Sequence, residues 1–383
     1  MKVTQLKDLV NNAVKETVGT SELLKEDLSN VVDVGQEIIS TDNVDNYVKK
    51  LIDRIGKTVF NTKVYKGSVP SVLMSSWDFG SILEKVDVEP PEAQENDSWN
   101  LEDGKSYDQD VFYQPKVSAK FYNSKTTFSI PMSFTKRQVM ESFNSASELN
   151  GFITMLQNSV TNAMNINIDN LTMRTINSMT ASVLNGGKDL QKVNLLDGYN
   201  KLAGAKLTAD KALTTPEFIK YANFVINTYK GRLAKLSTLF NVGAKQRFTP
   251  TSEQHLVLLS DFASAGKSYL EADTIHNENV ALNNYEEVAY WQATGTSYDF
   301  NSISSIDVAV KNGSTTKEVK QGGILGILFD SEALGVACAN QRTTTSTNAR
   351  AEFYTNYAKF DAMYFNDLDQ NFVVFYIEDA KQS

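Results

Sequence analysis

The stretch from Ser145 to Gly187 constrains the fold more than any other part of the sequence. It begins with a Ser-x-x-Glu pattern, ends on Asn-Gly-Gly, and contains no proline. Ser145 and Glu148 can form a capping box, in which each side chain binds the other residue's backbone amide. The terminal glycines can adopt left-handed dihedral angles without a Cβ penalty. The stretch therefore predicts one helix of roughly 40 residues, about 60 Å long.

Apolar residues recur along this stretch at the spacing of one helix face. The face consists of Leu149, Phe152, Ile153, Leu156, Val160, Ala163 and Met164, and continues less regularly through Ile168, Leu171 and Met179. Because the spacing is not a strict heptad, it does not predict a coiled coil. We expect Phe152, Leu156, Val160 and Ala163 to face the chain's own core. An alternative interpretation is two helices with a kink near residues 165–170.

Composition and charge exclude several classes of protein. The chain has 383 residues, of which 41% are hydrophobic and 22% charged, with a net charge of −9. This mixture is globular, and the acidic balance argues against a dedicated nucleic-acid binder. No apolar run is long enough to span a membrane, and the N-terminus lacks the apolar core of a secretory signal. The single cysteine, Cys338, lies in an apolar run and is interpreted as a buried hydrophobe, so we expect a soluble protein of a reducing cytoplasm.

The helix and strand signals divide the chain into five stretches. They are a polar helical arm (1–57), a region of β patterning (58–134), the region of the long helix (135–205), an alternating α/β region (206–340) and closing aromatic strands (341–383).

Two strand patterns in the second stretch predict a hairpin. Residues 111–122 and 127–134 flank the turn sequence Asn-Ser-Lys-Thr. Pro115 and Pro131 place these strands at a sheet edge, because proline cannot donate to a central ladder.

A second clear helix begins at Pro216. Thr215 is placed to cap it and proline suits its first position. Its predicted buried face consists of Phe218, Ala222, Val225 and Tyr229.

Acidic residues are concentrated between Glu84 and Asp110. The ten acids are Glu84, Asp87, Glu89, Glu92, Glu95, Asp97, Glu102, Asp103, Asp108 and Asp110, and the two bases are Lys85 and Lys105. The segment has too little apolar content to fold on itself. One interpretation is a solvated surface loop. The other is a projecting loop that becomes ordered on a neighbouring subunit.

The second interpretation names specific contact residues. Aromatic side chains are enriched at protein contacts because they bury a large area at low entropic cost. The predicted inter-subunit contacts are the aromatic residues Trp77, Phe79 and Trp99 and the acids Glu92, Glu95, Asp97, Glu102 and Asp103.

Catalytic and ligand-binding motifs are weak in this sequence. Residues 266–268 read Gly-Lys-Ser, as at the end of a phosphate loop, but the first glycine of that motif is replaced by Asp261. His255 and His276 are the only histidines and no Cys/His cluster accompanies them. The sequence does not exclude a catalytic pair of carboxylates like that of a glycosidase, although no particular pair stands out from the other carboxylates. We expect no catalytic residue, cofactor or metal.

The order of these parts resembles the major capsid proteins of tailed bacteriophages, which have the HK-97-type fold. Three stretches are similar in pattern to the group around the short-tailed phage phi-29. They are L-I-D-R-I-G-K-T-V-F (51–60), the Asn/Asp-rich middle of the long helix (165–170) and the closing T-N-Y-A-K-F-D-A-M-Y-F (355–365).

The resemblance implies an α+β fold with an N-terminal arm, an extended β loop, a spine helix in a peripheral domain, and an axial α/β domain. It implies a non-enzymatic shell subunit of the virion that assembles with itself as hexamers and pentamers in the host bacterial cytoplasm. A scaffolding protein, a portal and decoration proteins are the implied partners, with genomic DNA touched only loosely and no membrane.

Two alternatives accompany this interpretation. One is the shell protein of a cellular nanocompartment with the same fold. The other is a soluble enzyme with an unrecognised site.

Overall fold

The computed structural model describes most of the chain. The described residues are 3–17, 23–25, 27–40, 46–47, 50, 69–74, 83–88, 93, 95–107, 110, 112–142, 144–271, 282–289, 291, 305–312 and 315–379. The segment 51–60, one of the three that carry the resemblance, lies outside this set.

Helices and strands are mixed along the chain, as expected for an α+β fold. The helices are α1 (Val3–Thr17), α2 (Val31–Ser40), α3 (Lys136–Ser142), α4 (Ala146–Gly186), α5 (Leu195–Ala203), α6 (Ala209–Ala212), α7 (Pro216–Leu233) and α8 (Ser260–Glu271). The strands are β1 (Leu83–Val88), β2 (Val117–Tyr122), β3 (Lys125–Thr135), β4 (Lys192–Asn194), β5 (Gln254–Leu259), β6 (Glu286–Val288), β7 (Ser305–Asn312), β8 (Thr315–Gly322), β9 (Ile324–Asp330), β10 (Leu334–Asn348), β11 (Phe353–Asn366) and β12 (Phe372–Tyr376).

Helix α4, which we call the spine helix, runs without interruption for 41 residues. The predicted single helix is therefore confirmed, and the alternative of two helices is not. Ser145 Oγ accepts the backbone N–H of Glu148 at 3.2 Å, which satisfies an amide that has no partner within the first turn. Among the described residues this is the only half of the predicted capping box that forms.

Gly187 ends the spine helix for a different reason from the predicted one. Its φ is −74° and its ψ is 162°, so it is extended rather than left-handed. Its N–H donates to the carbonyl oxygen of Val183 at 2.7 Å, and a Cβ at this position would overlap that same oxygen. Glycine is needed here because of a close backbone approach.

The spine helix contributes to two clusters of buried apolar side chains. Its N-terminal part gives the first cluster Leu149, Ile153, Leu156, Val160, Met164 and Ile168. Helices α1 and α2 and strands β3 and β11 complete that cluster. Its C-terminal part gives Leu171, Met173, Ile176, Met179, Ala181 and Val183 to the second cluster. The helix thereby joins the two halves of the core.

The predicted inward face of the spine helix is confirmed with a small correction. Leu156 and Val160 are buried in the first cluster, whereas Phe152 and Ala163 are half-buried at its edge. In the N-terminal arm, Val10, Ala13 and Val14 are buried against the spine helix and its sheet.

The second cluster surrounds a five-stranded sheet with the order β4-β12-β9-β5-β6. Every residue of β9 is buried, and β12 brings Phe372 and Phe375 into the core. Helix α7 packs its predicted face there, with Val225 half-buried. The predicted cap of α7 is wrong, because the Thr215 hydroxyl donates to the carbonyl oxygen of Lys211 at 3.0 Å instead.

The predicted hairpin between β2 and β3 is also wrong. Strand β3 pairs with β11 and is an edge strand of a three-stranded sheet ordered β10-β11-β3. Strand β2 pairs with β1 in a separate two-stranded sheet. Residues 123–124 therefore carry the chain from one sheet to another. Pro131 does lie in an edge strand, as predicted, whereas Pro115 precedes β2.

Candidate functional site

Strands β1 and β2 form an antiparallel ribbon at either end of the acidic stretch. Leu83 pairs with Tyr122 and Val88 pairs with Val117. We call residues 83–122 the hairpin. Side chains alternate between the two faces of a strand, so the register divides the ribbon into an inner face, which contacts the rest of the molecule, and an outer face.

The inner face of the ribbon is charged. Lys85 lies directly opposite Lys120 in the register, an arrangement that is destabilising between like charges unless an anion compensates. Asp367, in the turn between β11 and β12, supplies that anion. Its carboxylate lies 3.2 Å from Lys85 Nζ and 2.8 Å from Lys120 Nζ, and its side chain is 0% exposed.

Three further ion pairs connect the ribbon to the body. Lys85 Nζ also lies 3.4 Å from the Glu332 carboxylate. Lys120 Nζ lies 2.6 Å from the Asp369 carboxylate, and Asp87 lies 2.6 Å from Arg247 Nη2. We call Lys85, Asp87, Lys120, Arg247, Asp367 and Asp369 the root cluster. It contains three cations and three carboxylates, and the exposed Glu332 carboxylate lies at its edge beside Lys85.

The protonation states of the root cluster follow from its geometry. Burial alone would raise the pKa of Asp367, but the hydrogen bond from Lys120 and the charge of Lys85 outweigh it and hold that pKa below its ordinary value. Burial alone would lower the pKa of Lys120, but its hydrogen bonds to Asp367 and Asp369 raise it. Both groups are therefore ionised at neutral pH.

An aromatic contact lies beside the root cluster. The ring of Tyr122 is 5.1 Å from the ring of Phe365, measured between centroids, and Lys85 Nζ is 5.4 Å from the Phe365 centroid. Burial and the nearby Asp367 carboxylate raise the pKa of Tyr122, so its hydroxyl stays neutral.

The outer face of the ribbon is apolar and exposed. Phe121 is 63% exposed, and its neighbours on this face are Val86, Val88, Val117 and Ala119. Glu84, directly opposite Phe121, is the one charged residue of this face. Apart from Glu84, the ribbon thus turns its charges inward and its exposed valines and Phe121 outward, the reverse of the usual arrangement. Exposed apolar side chains grouped on one face make this face a candidate for protein contact.

The residues predicted as inter-subunit contacts lie in several places. Trp99 is 93% exposed and follows Asp97 in a short 3-10 turn, Asp97–Trp99. Glu95, Glu102 and Asp103 are exposed in the same part of the hairpin. Trp77, Phe79 and Glu92 lie outside the described residues, as does the side chain of Asp97.

Besides the outer face of the ribbon, four exposed apolar residues between the two strands are not among the predicted contacts. They are Leu101, Tyr107, Phe112 and Tyr113. The predicted strand 111–122 includes Phe112 and Tyr113, whereas residues 112–116 belong to no strand. The signal that could have identified them is their position within, or directly after, an acidic segment that has no core of its own.

The Gly-Lys-Ser sequence at 266–268 lies within helix α8, not in a phosphate-binding loop. Lys267 Nζ is 2.7 Å from the Glu287 carboxylate and 5.7 Å from the centroid of the Tyr285 ring. A cavity of about 350 Å³ lies beside it, lined in part by Asn223 and Phe262. The helix ladder uses the backbone amides that a phosphate loop would present.

The other candidate residues that the structure describes, His255 and Cys338, pack against neighbouring parts of the fold. His255 lies in β5, with its ring 5.7 Å from that of Phe329, and His276 lies outside the described residues. Burial raises the pKa of the Cys338 thiol to about 11. Within the ranges that the structure describes, no three His, Cys, Asp or Glu residues are arranged to hold a metal ion. No helix in those ranges combines the length and apolarity needed to cross a bilayer.

One comparison with known proteins identifies a family. Residues 8–376 match the family model described as Phi29-like phage major capsid protein. A search of curated protein sequences finds no match.

Solved structures give the same fold. A chain in the capsid structure of Staphylococcus phage Andhra superposes with a TM-score of 0.53 at 11% identity, over 82% of this chain and 86% of that one. A chain in a structure of the head fiber and inner core protein gp22 of native bacteriophage P68 gives a TM-score of 0.51 at 8% identity, with the same coverage.

Proposed function

The chain belongs to the Phi29-like phage major capsid protein family, and we propose that its hairpin is the element through which one shell subunit binds the next. The chain is a structural subunit of a phage capsid, located in the virion, and its fold is the α+β fold of phage capsid proteins. Membership of this family favours a phage shell over a nanocompartment shell or an enzyme.

The observation that carries the proposal is the exposed apolar outer face of the β1–β2 ribbon. Fully burying a valine or phenylalanine side chain contributes about 1.5–3 kcal/mol. Val86, Val88, Val117 and Phe121 are all more exposed than buried in the single subunit. Covering them on a neighbouring copy would therefore contribute several kcal/mol to association, and a shell made of this chain supplies such a neighbour at every position.

We propose that residues before β1 and between β1 and β2 add a polar and aromatic rim to this surface. We propose that Trp77, Phe79 and Trp99 bury their rings on the neighbour, as predicted from the sequence. The acids of the rim, Glu92, Glu95, Asp97, Glu102 and Asp103, would meet basic groups of the neighbour. Rim charges of this kind are screened by salt, so we expect association to weaken as the ionic strength rises.

The two apolar clusters suggest the division of the subunit. The first, with the arm, the N-terminal part of the spine helix and β3, β10 and β11, would serve as the peripheral domain. The second, with the five-stranded sheet, would serve as the axial domain. On this assignment the segment 341–383 contributes to both, because β11 pairs with β3 and β12 pairs with β9.

The spine helix would stiffen the subunit as a tile of the shell. It packs against both clusters, so bending the tile between its domains would strain a continuous helical hydrogen-bond ladder.

The wider assembly follows from the same proposal. Copies would assemble as hexamers and pentamers in the host cytoplasm, with a scaffolding protein, a portal and decoration proteins as further partners. The acidic balance of the chain would leave genomic DNA only loosely held. The subunit would act without catalysis.

The direct test of the proposal is Phe121→Asp in the full chain. The substitution places a charge on the outer face of the ribbon, so we expect a folded subunit with an unchanged melting temperature that no longer forms closed shells in electron micrographs. Phe224→Asp is a matched control, because Phe224 is also 63% exposed but lies on α7. Normal shells from Phe121→Asp would contradict the proposal.

Deletion of residues 90–105 tests the rim separately. The described residues of this segment, 93 and 95–105, add no buried apolar side chain to either cluster, so removal of the segment should leave a folded subunit. We expect that subunit to fail in assembly, and normal particles would return the segment to the role of a surface loop.

A further inference from the structure

We propose that Asp367 is a positioning residue for assembly, which fixes the direction in which the hairpin projects from the subunit. The inference rests on the proposed function of the hairpin and adds to it the device that aims the hairpin. It concerns the root cluster, in which Asp367 and Asp369 come from a part of the chain far from the hairpin in sequence.

Asp367 holds both strands of the ribbon at once. Lys85 on β1 and Lys120 on β2 reach the same carboxylate, at 3.2 and 2.8 Å. A contact to one strand would leave the ribbon free to rotate about that strand. Contacts to both strands at one register position fix the rotation of the ribbon about its long axis and the tilt of its inner face.

The Asp367 carboxylate is itself held in place by its own turn. Its Oδ1 accepts the backbone N–H of Asp369 at 3.1 Å, and the N–H of Gln370 donates to the Asp367 carbonyl oxygen at 3.2 Å. The backbone N–H of Asp367 donates to the carbonyl oxygen of Ala333 at 2.7 Å. The acceptor is therefore oriented by the body, independently of the hairpin.

A loop at residues 237–247 supports the same turn from the other side. The backbone N–H groups of Val242 and Gly243 both donate to the carbonyl oxygen of Leu368, at 3.0 and 3.1 Å. Arg247 from this loop holds Asp87 of β1. The root of the hairpin is thus connected to two separate body segments.

At the inner face of the ribbon, ion pairs fix the orientation of the hairpin better than apolar packing would. Buried ion pairs stabilise little compared with apolar side chains of similar size, but they can specify one arrangement over others. The outer face of the ribbon is already apolar. If the inner face were apolar too, either face could pack on the body. With lysines opposite Asp367, only the inner face fits, so the apolar face stays available to a neighbouring copy.

The test measures the direction of the hairpin in the dissociated, full-length subunit. Spin labels at Val88→Cys on the ribbon and Ser264→Cys on α8 report the distance between hairpin and body by pulsed electron resonance. Both positions are exposed. The native Cys338 is half-buried, so the introduced thiols are labelled in preference. We expect one narrow distance distribution in the parent.

Asp367→Asn keeps a side-chain oxygen that can accept the backbone N–H of Asp369 and removes the negative charge. We expect the distance distribution to broaden, while the circular dichroism spectrum stays that of the parent. Glu84→Gln is the matched control, since Glu84 lies on the outer face beside Lys85 and should leave the distribution narrow. Should Asp367→Asn fail to fold, the double variant Lys85→Met/Lys120→Met tests the same contacts from the hairpin side.

A variant that conserves the charges separates positioning from general stabilisation. Lys85→Arg/Lys120→Arg keeps both charges and should keep the distance distribution narrow, whereas Lys85→Met/Lys120→Met should broaden it. An unchanged distribution in both Asp367→Asn and the methionine pair would overturn the inference. Phe121→Asp should lose assembly with an unchanged distribution, so failure of the proposed function and failure of this inference give different results.

Discussion

Replacement of Leu156 by alanine tests the role of the spine helix in the core. Leu156 is 1% exposed and lies in the cluster formed with the arm and with β3 and β11. The substitution removes three carbon atoms, a loss of about 2.4 kcal/mol at about 0.8 kcal/mol per buried methylene. Because a helix and a sheet hold the cavity open on two sides, we expect a total cost of about 3–5 kcal/mol.

The assay is urea unfolding of the dissociated full-length subunit, followed by circular dichroism. The midpoint should fall while the slope of the free energy against urea stays constant, since the surface exposed on unfolding is nearly unchanged. Met155→Ala is the matched control. Met155 is the preceding residue of the same helix and is 55% exposed, so its loss should change stability by no more than about 0.5 kcal/mol.

Two results would refute this reasoning. A cost below about 1 kcal/mol for Leu156→Ala would mean that the side chain is not packed in a core. An equal cost for Met155→Ala would mean that the helix turns a different face inward.

Three further predictions concern single contacts. Gly243→Ala should lower the urea midpoint, because its Cβ would overlap the Asp369 carboxylate. The hydrogen bond from Arg342 lowers the pKa of Asp361 to about 2; the stabilisation from this pair is present above the ordinary pKa of about 3.9 and should be lost as the pH falls toward 2, which side-chain carboxyl NMR can follow. ATP at millimolar concentration should leave the melting temperature unchanged, because Lys267 is already paired within the fold.

Each of these three has a result that contradicts it. Gly231→Ala is the control for Gly243, since a Cβ there meets no atom within 4 Å, and it should raise stability by about 0.5–1 kcal/mol; equal effects at the two sites would refute the steric argument. Titration of Asp361 at its ordinary pKa, with no change in Arg342→Gln, would refute the second. A saturable rise in melting temperature with ATP that disappears in Lys267→Ala would refute the third.

The spine helix could be predicted from the sequence because its signals are local. The cap at Ser145, the spacing of the apolar face and the absence of proline all act within a few residues of their own positions in the sequence. The local pattern gave the wrong reason for Gly187. It predicted a left-handed φ, whereas glycine is required because a Cβ would overlap the carbonyl oxygen of Val183.

The wrong prediction of a hairpin between β2 and β3 has the opposite cause. Strands β2 and β3 are separated by a sequence that suits a turn, and a local pattern cannot show that β3 pairs with β11, more than 200 residues away. Pairing across such distances is decided by the packing of the sheet on the spine helix, which no short stretch encodes.

The candidate site was predicted only in part. The sequence analysis interprets residues 84–110 as a loop, whereas residues 84–88 belong to strand β1. The alternation Lys85, Val86, Asp87, Val88 is the signal that could have indicated a strand with one charged and one apolar face. The direction of the two faces could not be predicted, because the carboxylate that draws the lysines inward is Asp367, 282 residues from Lys85. Without that partner, the apolar face would be expected to point inward.

The most direct test of the central claim is hydrogen exchange of the hairpin in two states, the dissociated subunit and the assembled particle. If the outer face binds a neighbouring copy, peptides covering residues 95–107 and 112–122 should gain protection only in the particle, while peptides from the spine helix should be protected in both states. Equal exchange of the hairpin peptides in the two states would contradict the claim that this element joins one subunit to the next.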